Sequence, residues 1–111
     1  MQIELETKYR TLIVRLTGEL DHHTADSLRT AIEKELDRDI ATSVLLNLQG
    51  LTFMDSSGLG VILGRYRRLS QMGGSMAACC LNQQVARIFE LSGLTRILGI
   101  YPTEELALQN L

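Results

Sequence analysis

The chain opens with two short segments of strand character. QIELET (2–7) alternates apolar and polar residues, and TLIVRLTG (11–18) is β-branched and closes on Gly18. The polar KYR between them predicts a hairpin. The period then changes. Ala25, Leu28, Ile32, Leu36 and Ile40 recur every three or four residues through DHHTADSLRTAIEKELDRDI. They form one apolar helical stripe, and Asp21 or Thr24 is placed to cap it. SVLLNL (43–48) is a nearly unbroken apolar run, the pattern of a strand covered on both faces. A second helical stripe follows in Leu59, Ile62, Leu63, Tyr66 and Leu69, stopped by Gly73 and Gly74. Arg65, Arg67 and Arg68 fall in its later turns, where cations suit the helix dipole. Glu33, Glu35 and Asp37 read as a solvated face of the first helix. SMAACCL (75–81) is a third buried-type strand. NQQVARIFELSG is a short helix with Val85, Ile88 and Phe89 inward and Gly93 as its stop. RILGIY (96–101) predicts a last strand ended by Pro102, and TEELALQNL a terminal helix.

The element order is ββαβαβαβα. Strands alternating with helices place the chain in the α/β class, with parallel strand pairs joined by right-handed crossovers. Only the N-terminal hairpin breaks the parallel pattern. A length of 111 residues suits a single domain spanning 1–111. The apolar fraction of 45% and charged fraction of 22% are those of an ordinary globular domain. A net charge of −2 and a pI near 5.6 argue against a non-specific nucleic-acid binder, which needs a basic excess. No apolar run approaches the roughly 18 residues that would cross a bilayer. MQIELETKYR lacks the charged-then-apolar pattern of a signal peptide, which points to the cytoplasm. The only cysteines, Cys79 and Cys80, are adjacent and read as reduced, small apolar residues.

The chemistry concentrates in LTFMDSSGLG (51–60). Phe53 and Met54 read as the end of a buried strand, and Ser56, Ser57 and Gly58 as an exposed helix start. Open α/β sheets place their sites at such carboxyl ends of strands. A serine there is a helix cap, a nucleophile, a phosphate binder or a phosphate acceptor. Asp55 or Ser56 serves as an N-cap, but no Glu or Gln follows either serine at the spacing of a capping box. A nucleophile elbow needs G-x-S-x-G, and Met54 and Asp55 stand where its first glycine belongs. Gly58, Gly60 and Gly64 miss the dinucleotide-binding spacing by one residue. Gly60 and Gly64 lie inside the helical stripe, where close backbone packing or a mobile first turn would use them. A phosphotransfer receiver using Asp55 would need an acidic pair near its first strand for Mg²⁺, and TLIVRLTGEL supplies none.

A phospho-acceptor survives these tests. A phosphoserine adds about −1.5 to −2 charge. At a helix N-terminus the free amides and the dipole favour such an anion, so the fold survives and only the surface changes. His22 and His23 point to opposite sides of any regular element and so would not chelate one metal without an irregular backbone. They read as a polar loop, or as part of a contact surface at the same sheet end as Ser56.

Two longer stretches go further. LTGELDHHTA (16–25) together with FMDSSGLGVILGRY (53–66) resembles the anti-sigma factor antagonists of the STAS domain family, in particular those that act on the anti-sigma F factor of endospore-forming bacteria. The resemblance runs over essentially the whole chain, including LSGL (91–94). It implies one mixed, mostly parallel sheet with helices packed mainly on one face. It implies that the dephosphorylated chain binds an ATP- or ADP-bound anti-sigma factor that is also a serine kinase, releasing a sporulation sigma factor. Phosphorylation of the first serine of the D-S-S-G motif, here Ser56, ends that binding, and a PP2C-type phosphatase restores it. Asp55, Ser57 and Gly58 match the flanks of the phosphoserine. Asp21 falls on the partner-binding surface, with His22 and His23 beside it. No catalytic residue, metal or cofactor is implied for this chain, nor contact with nucleic acid or membrane. A general-stress antagonist with another anti-sigma partner is the alternative within the family.

Overall fold

A computed structural model describes residues 1–111. The order is β1 (Gln2–Lys8), β2 (Thr11–Leu20), α1 (Ala25–Leu36), β3 (Ser43–Met54), α2 (Ser56–Gln71), β4 (Ser75–Cys79), α3 (Gln83–Ser92), a 3-10 turn (Leu94–Arg96), β5 (Gly99–Tyr101) and α4 (Glu104–Asn110). One five-stranded sheet runs β1-β2-β3-β4-β5. Its first pair is antiparallel and the other three are parallel. No helix is long and apolar enough to cross a membrane.

The α1 stripe packs as the spacing demands: Ala25, Leu28, Ile32 and Leu36 are buried. Ile40 is not part of it. The helix ends at Leu36, and Ile40 lies beyond it, 45% exposed. With residues from α2 and α3, the stripe covers one face of the sheet in a core of 23 buried residues. The other face is covered only in part, by α4. There Ile13, Leu45, Ala77, Cys79 and Ala107 make a small second cluster. The expectation of strands covered on both faces therefore holds at Val44–Leu46 and Ala77–Cys79, while Asn47 and Gln49 line an open cleft beside α4. Cys79 and Cys80 are free thiols, Cys79 buried and Cys80 half-buried.

β3 is twice as long as its apolar run suggests. Its pairing with β2 slips between Arg15 and Thr17 and again between Gly18 and Glu19, each time with one extra residue on β3. The inward residues of β3 are Val44, Leu46, Leu48, Leu51 and Met54. The alternation therefore stretches after Leu48, once for each bulge. Phe53, expected to be buried, is 40% exposed, because the second bulge leaves Met54 to face the core. RILGIY is a strand only over Gly99–Tyr101, and Arg96 belongs to the preceding 3-10 turn.

Charges that read as solvent-facing tie elements together. Arg68 of α2 pairs with Glu33 and, at 2.8 Å, with Asp37; Arg65 lies 3.1 Å from Glu33. The α2 arginines thus clamp α1 as well as suiting a dipole, and Glu33 and Asp37 are their partners. On the other face, Arg15 of β2 reaches Glu104 at 2.7 Å, Glu4 at 2.9 Å and Glu6 at 2.9 Å. The hydrogen bond from Arg15, which outweighs desolvation and is joined by one from Asn47, holds the Glu104 carboxyl below its ordinary value of 4.5. A depressed carboxylate stabilises the fold above its unfolded pKa, and that contribution is lost as pH falls through the folded value. Stability should therefore decline on acidification below about pH 4.5. Urea titrations at several pH values should show a shallower decline in Glu104→Gln, and an unchanged slope would rule Glu104 out as a source.

Candidate functional site

β2 and β3 end side by side. Leu20 is in register with Met54, and the Asp55 amide donates to the Leu20 carbonyl at 3.2 Å. Thr52 Oγ1 donates to the Gly18 carbonyl at 3.1 Å, a second tie between the same strand ends. The turn after β2 and the start of α2 after β3 therefore emerge at one end of the sheet. This brings Asp21, His22 and His23 to the same rim as Asp55, Ser56, Ser57 and Gly58.

Asp55 is the N-cap of α2. Its backbone is extended, and Oδ1 accepts from the Ser57 amide at 2.9 Å and the Gly58 amide at 3.4 Å. Such a cap is worth about 1 kcal/mol. Capping by Asp55 releases Ser56 from that task. Ser56 is the first helical residue and is exposed, while Ser57 is half-buried with its amide held by the cap. The two hydroxyls are thus unequal in access, which their adjacency in the chain does not reveal. Capping also corrects the expected phosphate geometry. The second and third amides of the helix already face a carboxylate, so a phosphate on Ser56 would add charge beside Asp55 and would not fall into an empty amide cradle.

Gly58 fixes how closely α2 seats on the sheet. A Cβ there would lie 2.7 Å from Leu20 Cγ and 2.8 Å from Met54 Cγ. Gly60 and Gly64 do not serve close packing, since a Cβ at either meets nothing within 4 Å.

The Asp21–Thr24 segment is a turn, not the first turn of a helix. Asp21 Oδ1 accepts from the His23 amide at 2.9 Å and the Thr24 amide at 3.2 Å, and the Thr24 hydroxyl reaches the Glu19 carbonyl at 3.0 Å. Asp21 thus caps the turn, and Thr24, at the N-cap position of α1, makes no side-chain cap. Desolvation raises the Asp21 carboxyl, but the hydrogen bonds from His23 and Thr24 outweigh it and hold it below its ordinary value of 3.8. The irregular backbone also overturns the expected divergence of the histidines. Their ring centroids lie 3.9 Å apart, and both side chains are exposed. No group of three or more His, Cys, Asp or Glu side chains is arranged to hold a metal ion.

The rim is thus acidic and hydroxyl-bearing, with two histidine rings in tilted contact. Residues 2–107 match the STAS domain family. This chain is a STAS domain. It is 50% identical, over all of its own length and 95% of the relative's, to an anti-sigma F factor antagonist of Paenibacillus polymyxa. Identity to an anti-sigma-B factor antagonist of Staphylococcus aureus is 27%, over 90% of this chain and 92% of the relative. Among solved structures, the STAS domain superposes on the anti-sigma factor antagonist SpoIIAA in its unphosphorylated form with a TM-score of 0.80 and 32% identity. That match covers 98% of this chain and 96% of the other. The phosphorylated form of the Bacillus cell fate determinant SpoIIAA gives 0.79 and 34%, covering 98% of both chains. The architecture that the sequence resemblance implied, a mixed sheet with three of four helices on one face, is the architecture of this STAS domain.

Proposed function

We propose that this STAS domain is an anti-sigma factor antagonist switched by phosphorylation at Ser56. In the unphosphorylated state it binds an anti-sigma factor that is also a serine kinase, and this binding frees the sporulation sigma factor F. The bound kinase transfers the γ-phosphoryl of ATP to the Ser56 hydroxyl. The product dissociates, and a PP2C-type phosphatase regenerates the active form. The domain itself catalyses nothing; it presents a hydroxyl and a surface. Asp21, His22, His23, Asp55 and Ser57 complete the docking rim around Ser56; Gly58, expected at an exposed helix start, is buried and serves the rim by seating the turn that carries Ser56.

The observation that carries this reading is the exposed Ser56 at the start of α2, freed from capping by Asp55. It is supported by likeness to a protein solved both with and without its phosphate. The anti-sigma F pathway is favoured over the anti-sigma-B pathway by 50% identity against 27%.

Incubation with anti-sigma F kinase and ATP should add one phosphate, which peptide mass spectrometry should place on Ser56. Label on Ser57, or none, would remove the site assignment. Pull-down with the anti-sigma factor should succeed with ADP and fade with ATP as the phosphate accumulates. Capture of only an anti-sigma-B protein from the native host would move the domain to the general-stress branch.

A further inference from the structure

Cys79 and Cys80 stand apart from the Ser56 rim, and nothing in the proposed switch uses them. Along a regular strand adjacent side chains point to opposite faces. Here they do not, because β4 ends at Cys79 and Cys80 takes a left-handed backbone with φ of 62°. The Cys80 amide donates to the Tyr101 carbonyl at 3.1 Å, which holds that turn against β5. As a result both residues pack into the cluster between the sheet and α4, with Ile13, Leu45 and Ala107. Both are free thiols, neighbours in the chain that share one side of the sheet. Cys79 is fully buried, whereas Cys80 opens onto a cleft of about 620 Å³ that Lys8, Arg15, Asn47 and Glu104 also line.

We propose that Cys79 and Cys80 form a vicinal dithiol site for a soft, thiophilic ion of the trivalent-arsenic class. Two adjoining sulfurs are the ligands that soft ions select. Direct oxidation suits the pair less well. Adjacent Cα atoms sit about 3.8 Å apart across a trans peptide, short of the roughly 4.4–6.8 Å that disulfides prefer. A bridging atom widens the ring and relieves that constraint. The step needs no oxidant. An arsenoxide, R–As=O, forms two As–S bonds and loses its oxygen, which leaves as water with the two thiol protons, and arsenic stays trivalent. Burial pushes the Cys79 thiol up to about 12, so it is protonated at neutral pH. Cys80, reached from the cleft, binds first, and Cys79 closes the ring.

The test is titration of the reduced full chain with phenylarsine oxide under anaerobic conditions. One arsenical per chain should bind by native mass spectrometry, both thiols should become unreactive, and excess dimercaptopropanol should restore them. Removing either sulfur turns a chelate into a single bond, so Cys80→Ser and Cys79→Ser should each weaken binding on the order of a hundredfold. Cys80→Ser decides the matter if the buried Cys79→Ser change disturbs folding. Two reactive thiols persisting under excess arsenical, or parent-like affinity in Cys80→Ser, overturns the proposal.

Discussion

Ser56→Asp should cut affinity for the anti-sigma factor by more than a hundredfold, while Ser56→Ala should bind like the parent and resist inactivation by kinase and ATP. The two variants differ in charge far more than in size. Ser56 is exposed in the free domain, so the carboxylate of Ser56→Asp costs little until a partner covers it. Docking then places it beside Asp55 on an acidic rim with water excluded. Covering an unpaired charge in an interface costs several kcal/mol, the more so beside a second carboxylate, and about 2.7 kcal/mol already corresponds to a hundredfold. The helix itself should tolerate the change, because an acidic residue in the first turn suits the dipole. The unfolding midpoint should therefore stay near that of the parent while binding collapses. Calorimetry that gives Ser56→Asp and the parent equal affinity would refute the electrostatic account. A lowered midpoint would mean that the charge acts through the fold.

How far the sequence could reach depended on whether its periodicity stayed regular. The α1 stripe from Ala25 to Leu36 and the alternation of Ile3 and Leu5 follow one period each, and the structure has them as expected. β3 was legible to Leu48 and no further, because two bulges change the spacing of Leu51 and Met54 and no fixed period spans them. Ile40 continued the numerical pattern of α1 past the point where the backbone leaves the helix. The strand-to-helix junction at Asp55 was legible because apolar residues give way abruptly to hydroxyls and glycines. Which residue caps it was not, since Asp55 and Ser56 are equivalent by type and differ only in backbone placement. The meeting of His22 with His23, and of Arg68 with Glu33, depends on a turn and on a helix–helix contact that local pattern cannot encode.

Gly58→Ala and Gly60→Ala should move stability in opposite directions although the two glycines are two residues apart in one helix. At Gly60 a Cβ meets nothing within 4 Å, so alanine should stabilise by up to about 1 kcal/mol through its helix preference. At Gly58 the same methyl would approach Leu20 Cδ2 and Met54 Cγ at 2.8 Å. Leu20 is fully buried and Met54 nearly so, and neither can swing aside without disturbing the core. Overpacking of this kind costs roughly 1–3 kcal/mol, which exceeds any gain in helix preference. The relief open to the variant is to lift the first turn of α2, and that turn carries Asp55, Ser56 and Ser57. Gly58→Ala should therefore lower the urea midpoint and also weaken anti-sigma binding and slow phosphorylation of Ser56. Gly60→Ala should raise the midpoint. If both variants shift the midpoint the same way, the close seating of α2 on Leu20 is not what requires glycine at position 58. If Gly58→Ala loses stability but keeps parent-like phosphorylation, the first turn holds its place, and the glycine serves the core alone.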